Sequence, residues 1–376
     1  MKKIIVLDMW ASDSASRGPS KHWLYNKLAH DYEIEIVNPS PGIGDDIPLL
    51  VRTFNFSKKK WGTEFYRLKE HIGKTPAMFR RRSARFNKAV HRLDGRPDLF
   101  FQTGALFGPI ESHGIPYISY HDQTVSMVER GYKGWLPDNF LEHRDEWYRL
   151  EKNFYQSMTK VVTYSAVTRD SLINDYLVDA ERVTVIPTAC KLPFPSREEI
   201  LKPRKRQLLF VTTDFMRKGG DILLNAVPLI KSKFPDITVV IAGGSIPPSI
   251  RISGPAVTYV GALSQQDLMR YYLESEILVH PARYDAFPNV IKEAIACGLP
   301  VVASGVCGIP EMLDGERAGV LMRNISPAGL GDAVIGLLSN EMRYRQIQEH
   351  CLTLREKYSI DTVGGMFVKL FNEYLG

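Results

Sequence analysis

The chain has 376 residues, of which 44 % are hydrophobic and 24 % charged, and carries a formal net charge of +6. That length exceeds one ordinary domain and fits two of roughly 150 to 200 residues each. The composition is that of a soluble globular protein, and the absence of any run of about 18 apolar residues argues against a transmembrane helix.

In chain order, "MKKIIVLDMW" opens in the manner of a signal peptide, but Asp8 interrupts the apolar run and the segment reads as a first buried strand. "SKHWLYNKLAHD" follows as a helix and "YEIEIVN" as a strand. Between Lys58 and Arg92 stand twelve Lys or Arg against Glu64 and Glu70, a local +10, so the rest of the chain sums to +6 − 10 = −4. Trp61, Phe65, Tyr66, Phe79 and Phe86 are interleaved with this charge. A solvated helical face would account for the segment. A surface for anionic lipid or a polyanionic acceptor would also account for the aromatics. No nucleic-acid motif accompanies it, and no nucleic-acid partner is expected.

"DLFFQT" and "PYISYH" are the next strands, then a charged helix near 140–157, then strands "KVVTYS" and "RVTVIP". "KLPFPSREEILKPRKR" reads as a linker, after which "QLLFVTT", "ITVVIAG", "VTYVG", "EILVHP" and "VVAS" alternate with helical stretches. Val363, Met366, Phe367, Leu370 and Phe371 recur at helical spacing near the C-terminus. The alternation predicts two doubly wound α/β domains, 1–195 and 196–358, with a C-terminal helix over 359–376 packing back on the first. Cys190, Cys297, Cys307 and Cys351 show no metal or disulfide spacing, which fits a cytoplasmic enzyme.

"RYDAFPNVIKEAIACGLPVVAS" sets Asp285 and Glu293 around the C-terminal end of a strand, on the turn and in the helix that follow it. In open parallel sheets, that end is where ligands bind. Pro288 suits the helix start, Gly298 and Pro300 its end, and Val290, Ile291, Ala294 and Ile295 share its apolar face. "FMRKGGDILL" brings Arg217 and Lys218 to the end of another strand where two glycines open a helix, a combination able to hold a phosphate. There is no G-x-G-x-x-G after the first strand, no phosphate-binding G-x-x-x-x-G-K-[ST] and no Asp-x-Asp pair for a divalent ion.

The segment from Asp285 to Glu293 with "AIACGLPVV", together with "RKGGDILLNA", "GIPEML" and "VIPTACKLPF", resembles the nucleotide-sugar-dependent glycosyltransferases of family 4. The resemblance covers about Val183 to Tyr358 and implies the GT-B fold, two facing Rossmann-like domains with a cleft between them. It implies that Glu293 binds the donor ribose and Asp285 the transferred sugar. Phe287, Pro288 and Asn289 would form the loop beside that sugar, and Lys218 would hold the diphosphate. Thr213 and Asp214 stand where the family usually has an arginine, so Arg217 is the expected second cation. His121 resembles the active-site histidine, with Asp122 beside it, and Gly18 the donor loop of the first domain, near Asp13 and Arg17.

The resemblance therefore implies a retaining transferase that needs no metal or other cofactor. It would move a sugar from a nucleotide diphosphate donor, uridine by frequency, to a hydroxyl of a saccharide or lipid-linked acceptor in polysaccharide or glycoconjugate synthesis. The expected location is the cytoplasm, with Lys58–Arg92 at the inner face of the membrane. A nucleotide-sugar epimerase on the same fold and a non-catalytic nucleotide-binding subunit are the alternatives. The assignments make Asp285→Asn neutral toward the bare nucleotide and Glu293→Gln harmful to it.

Overall fold

The computed structural model describes residues 1–9, 22–39, 51, 53–252 and 254–376. They form two compact units, Met1–Ile186 with Gly364–Gly376, and Pro187–Val363.

In the first unit the elements are β1 (Lys3–Leu7), α1 (His22–Leu28), β2 (Glu33–Val37), α2 (Lys58–Ile72), α3 (Pro76–Val90), β3 (Leu99–Thr103), β4 (Tyr117–His121), α4 (Val125–Gly131), α5 (Phe140–Ser157), β5 (Lys160–Thr163), α6 (Ala166–Tyr176) and β6 (Val183–Val185). The strands pair in parallel in the order β2-β1-β3-β4-β5-β6. Every residue of β3 and β4 is buried, as expected of parallel strands covered on both faces.

The second unit contains α7 (Arg197–Ile200), β7 (Gln207–Thr212), α8 (Gly220–Lys231), β8 (Thr238–Gly243), β9 (Val257–Gly261), α9 (Gln265–Glu274), β10 (Ile277–His280), α10 (Asn289–Ala296), β11 (Val301–Ser304), α11 (Ile309–Met312), β12 (Gly319–Met322), α12 (Pro327–Leu338) and α13 (Glu341–Leu354). Its sheet is also parallel, in the order β12-β11-β10-β7-β8-β9. The strand order reverses between β7 and β10, and the ends of these strands form the crevice that such sheets offer to ligands. Both units are thus doubly wound α/β layers, the class implied by the strand–helix alternation.

The stretch read as a linker is tightly held. Ser196 and Glu199 form a capping box on α7, and Ile200 is fully buried. Arg204 donates to the carbonyls of Tyr272, Leu273 and Ser275 at the end of α9 and of Cys297 and Gly298 beyond α10, at 2.7–3.2 Å. One half-buried cation therefore satisfies the orphan carbonyls of two helix ends. The unit border falls after Ile186 instead of 195 because the next residues are bonded into the second unit. Cys190 N–H donates to the Tyr358 carbonyl at 2.8 Å, and Lys292 Nζ donates to the carbonyls of Thr188 and Ala189 at 3.1 and 3.2 Å. The last helix, α14 (Ile360–Leu375), joins the first unit from Gly364 onward. Phe367 and Phe371 lie edge-on to Phe101, and Tyr32 Oη donates to Asn372 at 2.8 Å.

The basic segment becomes α2 and α3, and its aromatics divide between interior and surface. Phe86 stacks on Phe107 at 3.7 Å, Phe79 meets the Trp147 edge at 5.9 Å, and both are buried. Tyr66 on α2 remains 71 % exposed. The surface reading of Phe79 and Phe86 is corrected: hydrophobic burial claims them for the core.

Behind the C-terminal end of β4, Glu151 of α5 is buried and accepts hydrogen bonds from Tyr155 Oη at 2.8 Å, from Tyr176 Oη, and from the Val125 N–H at 3.2 Å. Burial pushes this carboxyl from its ordinary 4.5 up to about 7, against the hydrogen bonds that lower it. A carboxyl raised on folding contributes stability that is complete below the unfolded value and is lost as pH rises through the folded one. The wild-type unfolding free energy should therefore fall, relative to Glu151→Gln, by roughly 3 kcal/mol between about pH 4.5 and 7. Urea unfolding across that range measures it, and parallel slopes for the two proteins would assign the pH dependence elsewhere.

Candidate functional site

The loops after β7 and β10 are stitched to each other. Arg283 N–H donates to the Arg217 carbonyl at 2.9 Å, and Arg217 Nη1 donates to the Tyr284 carbonyl at 2.9 Å. The Arg283 guanidinium holds both Asp221 oxygens at 2.7 Å. Gly219 makes the close approach feasible. Its φ is +80°, and a Cβ there would stand 2.1 Å from the Pro281 carbonyl oxygen. The turn is thereby seated on the end of β10, and Lys218 is carried across the crevice.

There the Lys218 ammonium bonds Asp285 Oδ2, and His280 Nε2 lies 3.0 Å from the same oxygen. Asp285 is 8 % exposed and His280 is fully buried. Burial lowers the His280 imidazolium well below its usual range, with Lys218 and Arg217 adding to the effect, so the ring is neutral. A neutral ring facing a carboxylate donates from Nε2, which leaves Nδ1 as an acceptor. Nδ1 has no hydrogen-bond partner among the described residues. Burial, then Arg217, draws the Lys218 ammonium down to about 7, while the nearby Asp214 carboxylate works in the opposite direction. His280 and Asp285 alone could offer two metal donors. In this structure the shared oxygen is taken by the Lys218 ammonium.

Arg217 has protein partners on both loops. Its Nε donates to Asp214 Oδ2 at 3.0 Å, and the side chain braces the two loops. The residue at the position where an arginine was expected upstream is therefore its partner, and Arg217 is a half-buried strut beside Lys218.

Glu293 lies one turn into α10 and is half-buried. Tyr272 Oη donates to its Oε2 at 2.7 Å, and Oε1 has no protein partner among the described residues. Burial raises this carboxyl, with Tyr272, Lys292 and Lys191 opposing. Lys292 is 1 % exposed, and burial lowers its ammonium to about 7. Pro288 is the N-cap of α10 and not its first turn, Asn289 begins the helix exposed, and no side chain caps its N–H groups. Phe287 turns inward, 5.6 Å from the Lys292 ammonium and 6.4 Å from the Tyr358 ring, which leaves its backbone to line the loop.

His121 ends β4 in the first unit, 2 % exposed, with the rings of Tyr155 and Phe154 edge-on at 5.2 and 5.6 Å. Asp122 is exposed, and its carbonyl accepts from Thr168 Oγ1 at 2.7 Å. Gly18, Asp13 and Arg17 lie outside the described residues. The second unit thus gathers Lys218 and Asp285 with His280, a residue read in the sequence only as part of a strand. The available signal was its place, since it ends β10 as His121 ends β4.

Residues 24–192 match the family model described as Glycosyltransferase Family 4, and 205–340 the model described as Glycosyl transferases group 1. The chain is 28 % identical over 223 residues to the phosphatidylinositol N-acetylglucosaminyltransferase gpi3 subunit of Schizosaccharomyces pombe, 54 % of this chain and 48 % of that protein. It thus spans about half the length of this relative. Among solved structures, the sucrose-phosphate synthase of Thermosynechococcus elongatus superposes with a TM-score of 0.68 at 14 % identity, over 99 % of each chain. Anabaena HepE in complex with UDP superposes with a TM-score of 0.64 at 15 % identity, over 99 % of this chain and 100 % of that one. At such identities the structural likeness speaks for the fold, and it is the GT-B fold. With models of the group matching both halves, the chain belongs to the glycosyltransferases of family 4.

Proposed function

We propose that this chain transfers a sugar from a uridine diphosphate donor to an acceptor hydroxyl, with retention of configuration and without a metal. The observation that carries the reading is the Lys218–Asp285–His280 cluster at the point where the strand order of the second unit reverses. Family membership supports retention, and the UDP in the HepE structure supports uridine. Lys218 neutralises the diphosphate as it departs, helped by the uncapped N-terminus of α10. Glu293 keeps one oxygen on Tyr272 and offers the other to the ribose hydroxyls, where a charged hydrogen bond contributes roughly 1.5 to 3 kcal/mol. Asp285 meets the transferred sugar, and His121 and Asp122 are assigned to the sugar and acceptor on the first unit. The acceptor is a saccharide or lipid-linked saccharide of a cell-surface polymer or glycoconjugate.

The ion pair modifies the simple division between the two carboxylates. Lys218 must leave or share Asp285 to bind a diphosphate, so Asp285→Asn removes a competitor and a repelling charge. Calorimetric titration with UDP should find Asp285→Asn bound as tightly as wild type or tighter, with kcat/KM for the donor lowered at least a hundredfold. Glu293→Gln and Lys218→Ala should each weaken UDP roughly tenfold or more, and a chelator should leave turnover intact. UDP lost by Asp285→Asn as badly as by Glu293→Gln would refute these assignments.

The same reading locates the enzyme on the cytoplasmic membrane face. No described helix is long and apolar enough to cross a bilayer. Support comes from α2 and the segment before it, where Phe54 lies 5.3 Å from Phe56 and 5.6 Å from Trp61, with Phe56 97 % exposed. Exposed aromatics beside lysines suit an anionic interface, at about 1 kcal/mol per basic residue near the surface. Sedimentation with phosphatidylserine vesicles should show binding at low salt that high salt reverses. Phe54→Ser with Phe56→Ser should reduce it severalfold, and no binding at low salt removes the membrane from the proposal.

A further inference from the structure

We propose that His91, Glu111 and His113 form a zinc site that staples the end of α3 to the connection between β3 and β4. Their donor atoms lie within 4.8 Å of one another. Glu111 Oε2 stands 3.2 Å from His91 Nε2 and 4.0 Å from His113 Nε2, and the two rings are 5.9 Å apart. Tetrahedral zinc with ligand bonds near 2.0–2.2 Å separates its donors by roughly 3.3 Å, so a small rotation of the His113 side chain closes the set.

The backbone holds all three in place. His91 is the C-cap of α3, its N–H bonded to the Asn87 carbonyl at 2.9 Å. The Asn87 side chain in turn accepts the Glu111 N–H at 2.8 Å, which fixes helix end and connection to each other. Ser112–Ile115 is a turn closed by Ile115 N–H to the Ser112 carbonyl at 2.9 Å, with φ of 49° at His113 and 78° at Gly114. A side chain the size of histidine is uncommon at positive φ. Here the conformation swings the imidazole toward Glu111.

Ligand chemistry selects the ion. Two imidazoles and one carboxylate suit zinc and its late transition-metal neighbours, whereas magnesium and calcium require mainly oxygen. A surface His–Glu pair by itself contributes little. Three convergent donors with an open fourth position for water can contribute much more, by tying down a connection that leads directly into β4. The side chains are 51 %, 62 % and 69 % exposed, so an ion reaches them without any opening of the fold. The site lies at the start of β4, whereas His121 is at its end, so the ion acts on stability and takes no part in sugar transfer.

The full chain, freed of metal by chelator and dialysed, is titrated calorimetrically with zinc chloride and melted with and without it. One equivalent should bind saturably and raise the melting midpoint by several degrees. His91→Ala and His113→Ala should each weaken that binding at least tenfold, and together abolish the thermal shift. Because the side chains are exposed, the zinc-free variants should melt with the zinc-free wild type, which separates lost binding from misfolding. Cys307→Ser, which removes the half-buried thiol, should bind as wild type does. No saturable zinc binding, or undiminished binding by the histidine variants, overturns the proposal.

Discussion

A single carboxylate oxygen organises the second unit's ligand-binding end. Asp285 Oδ2 is shared by an ammonium from the β7 loop and a buried neutral imidazole at the tip of β10. A carboxylate removed from water is costly unless it is paired and hydrogen-bonded, and an ammonium in the same place is no cheaper. Each satisfies the other, and both depend on the turn through Gly219 that lets one loop rest on the backbone of the next. The ladder formed by Arg217, Arg283, Asp214 and Asp221 makes that placement rigid. If this is the donor side, as proposed, it is in this sense pre-formed, which is what positioning catalysis requires.

A second support lies beneath α10. Lys292 is buried on the carbonyls of Thr188 and Ala189, while Arg204 gathers the carbonyls at the far ends of α9 and α10. Tyr272, which orients Glu293, is on α9, so the two helices must keep a fixed separation for that hydrogen bond to exist. Cations held on backbone carbonyls provide such a constraint where apolar packing alone would tolerate sliding.

Much of this was legible in the sequence, and the remainder has identifiable reasons. Period and punctuation located the strands and the helix that bears Glu293, because local backbone preference and one buried face determine them. Asp285 and Lys218 were legible through their motifs. The pairing between them was not, since their separation in sequence reveals nothing about which side chains meet across a crevice. Arg217 illustrates the same limit: its charge was visible, whereas its partner Asp214 was noted only as a missing arginine. Phe79 and Phe86 looked like surface aromatics because the charges beside them dominate the local composition. Their burial depends on Trp147 and Phe107, which arrive from later in the chain. His280 went unread because a histidine closing an apolar strand has no periodic signature.

The ion pair at Asp285 also bears on selectivity among the anions of a cell. A bare ammonium at a helix-rich strand end would attract chloride, inorganic phosphate and every carboxylate metabolite that passes. Here the positive charge is already matched by a carboxylate held in place by His280. A monoanion gains little by displacing it, since it would exchange one single negative charge for another and leave Asp285 uncompensated. The diphosphate of the proposed donor would bring more charge and additional contacts along its length, enough to make that exchange favourable. On the proposed function, built-in neutrality would act as a threshold, keeping the crevice clear of common small anions until a ligand long enough to reach several groups enters.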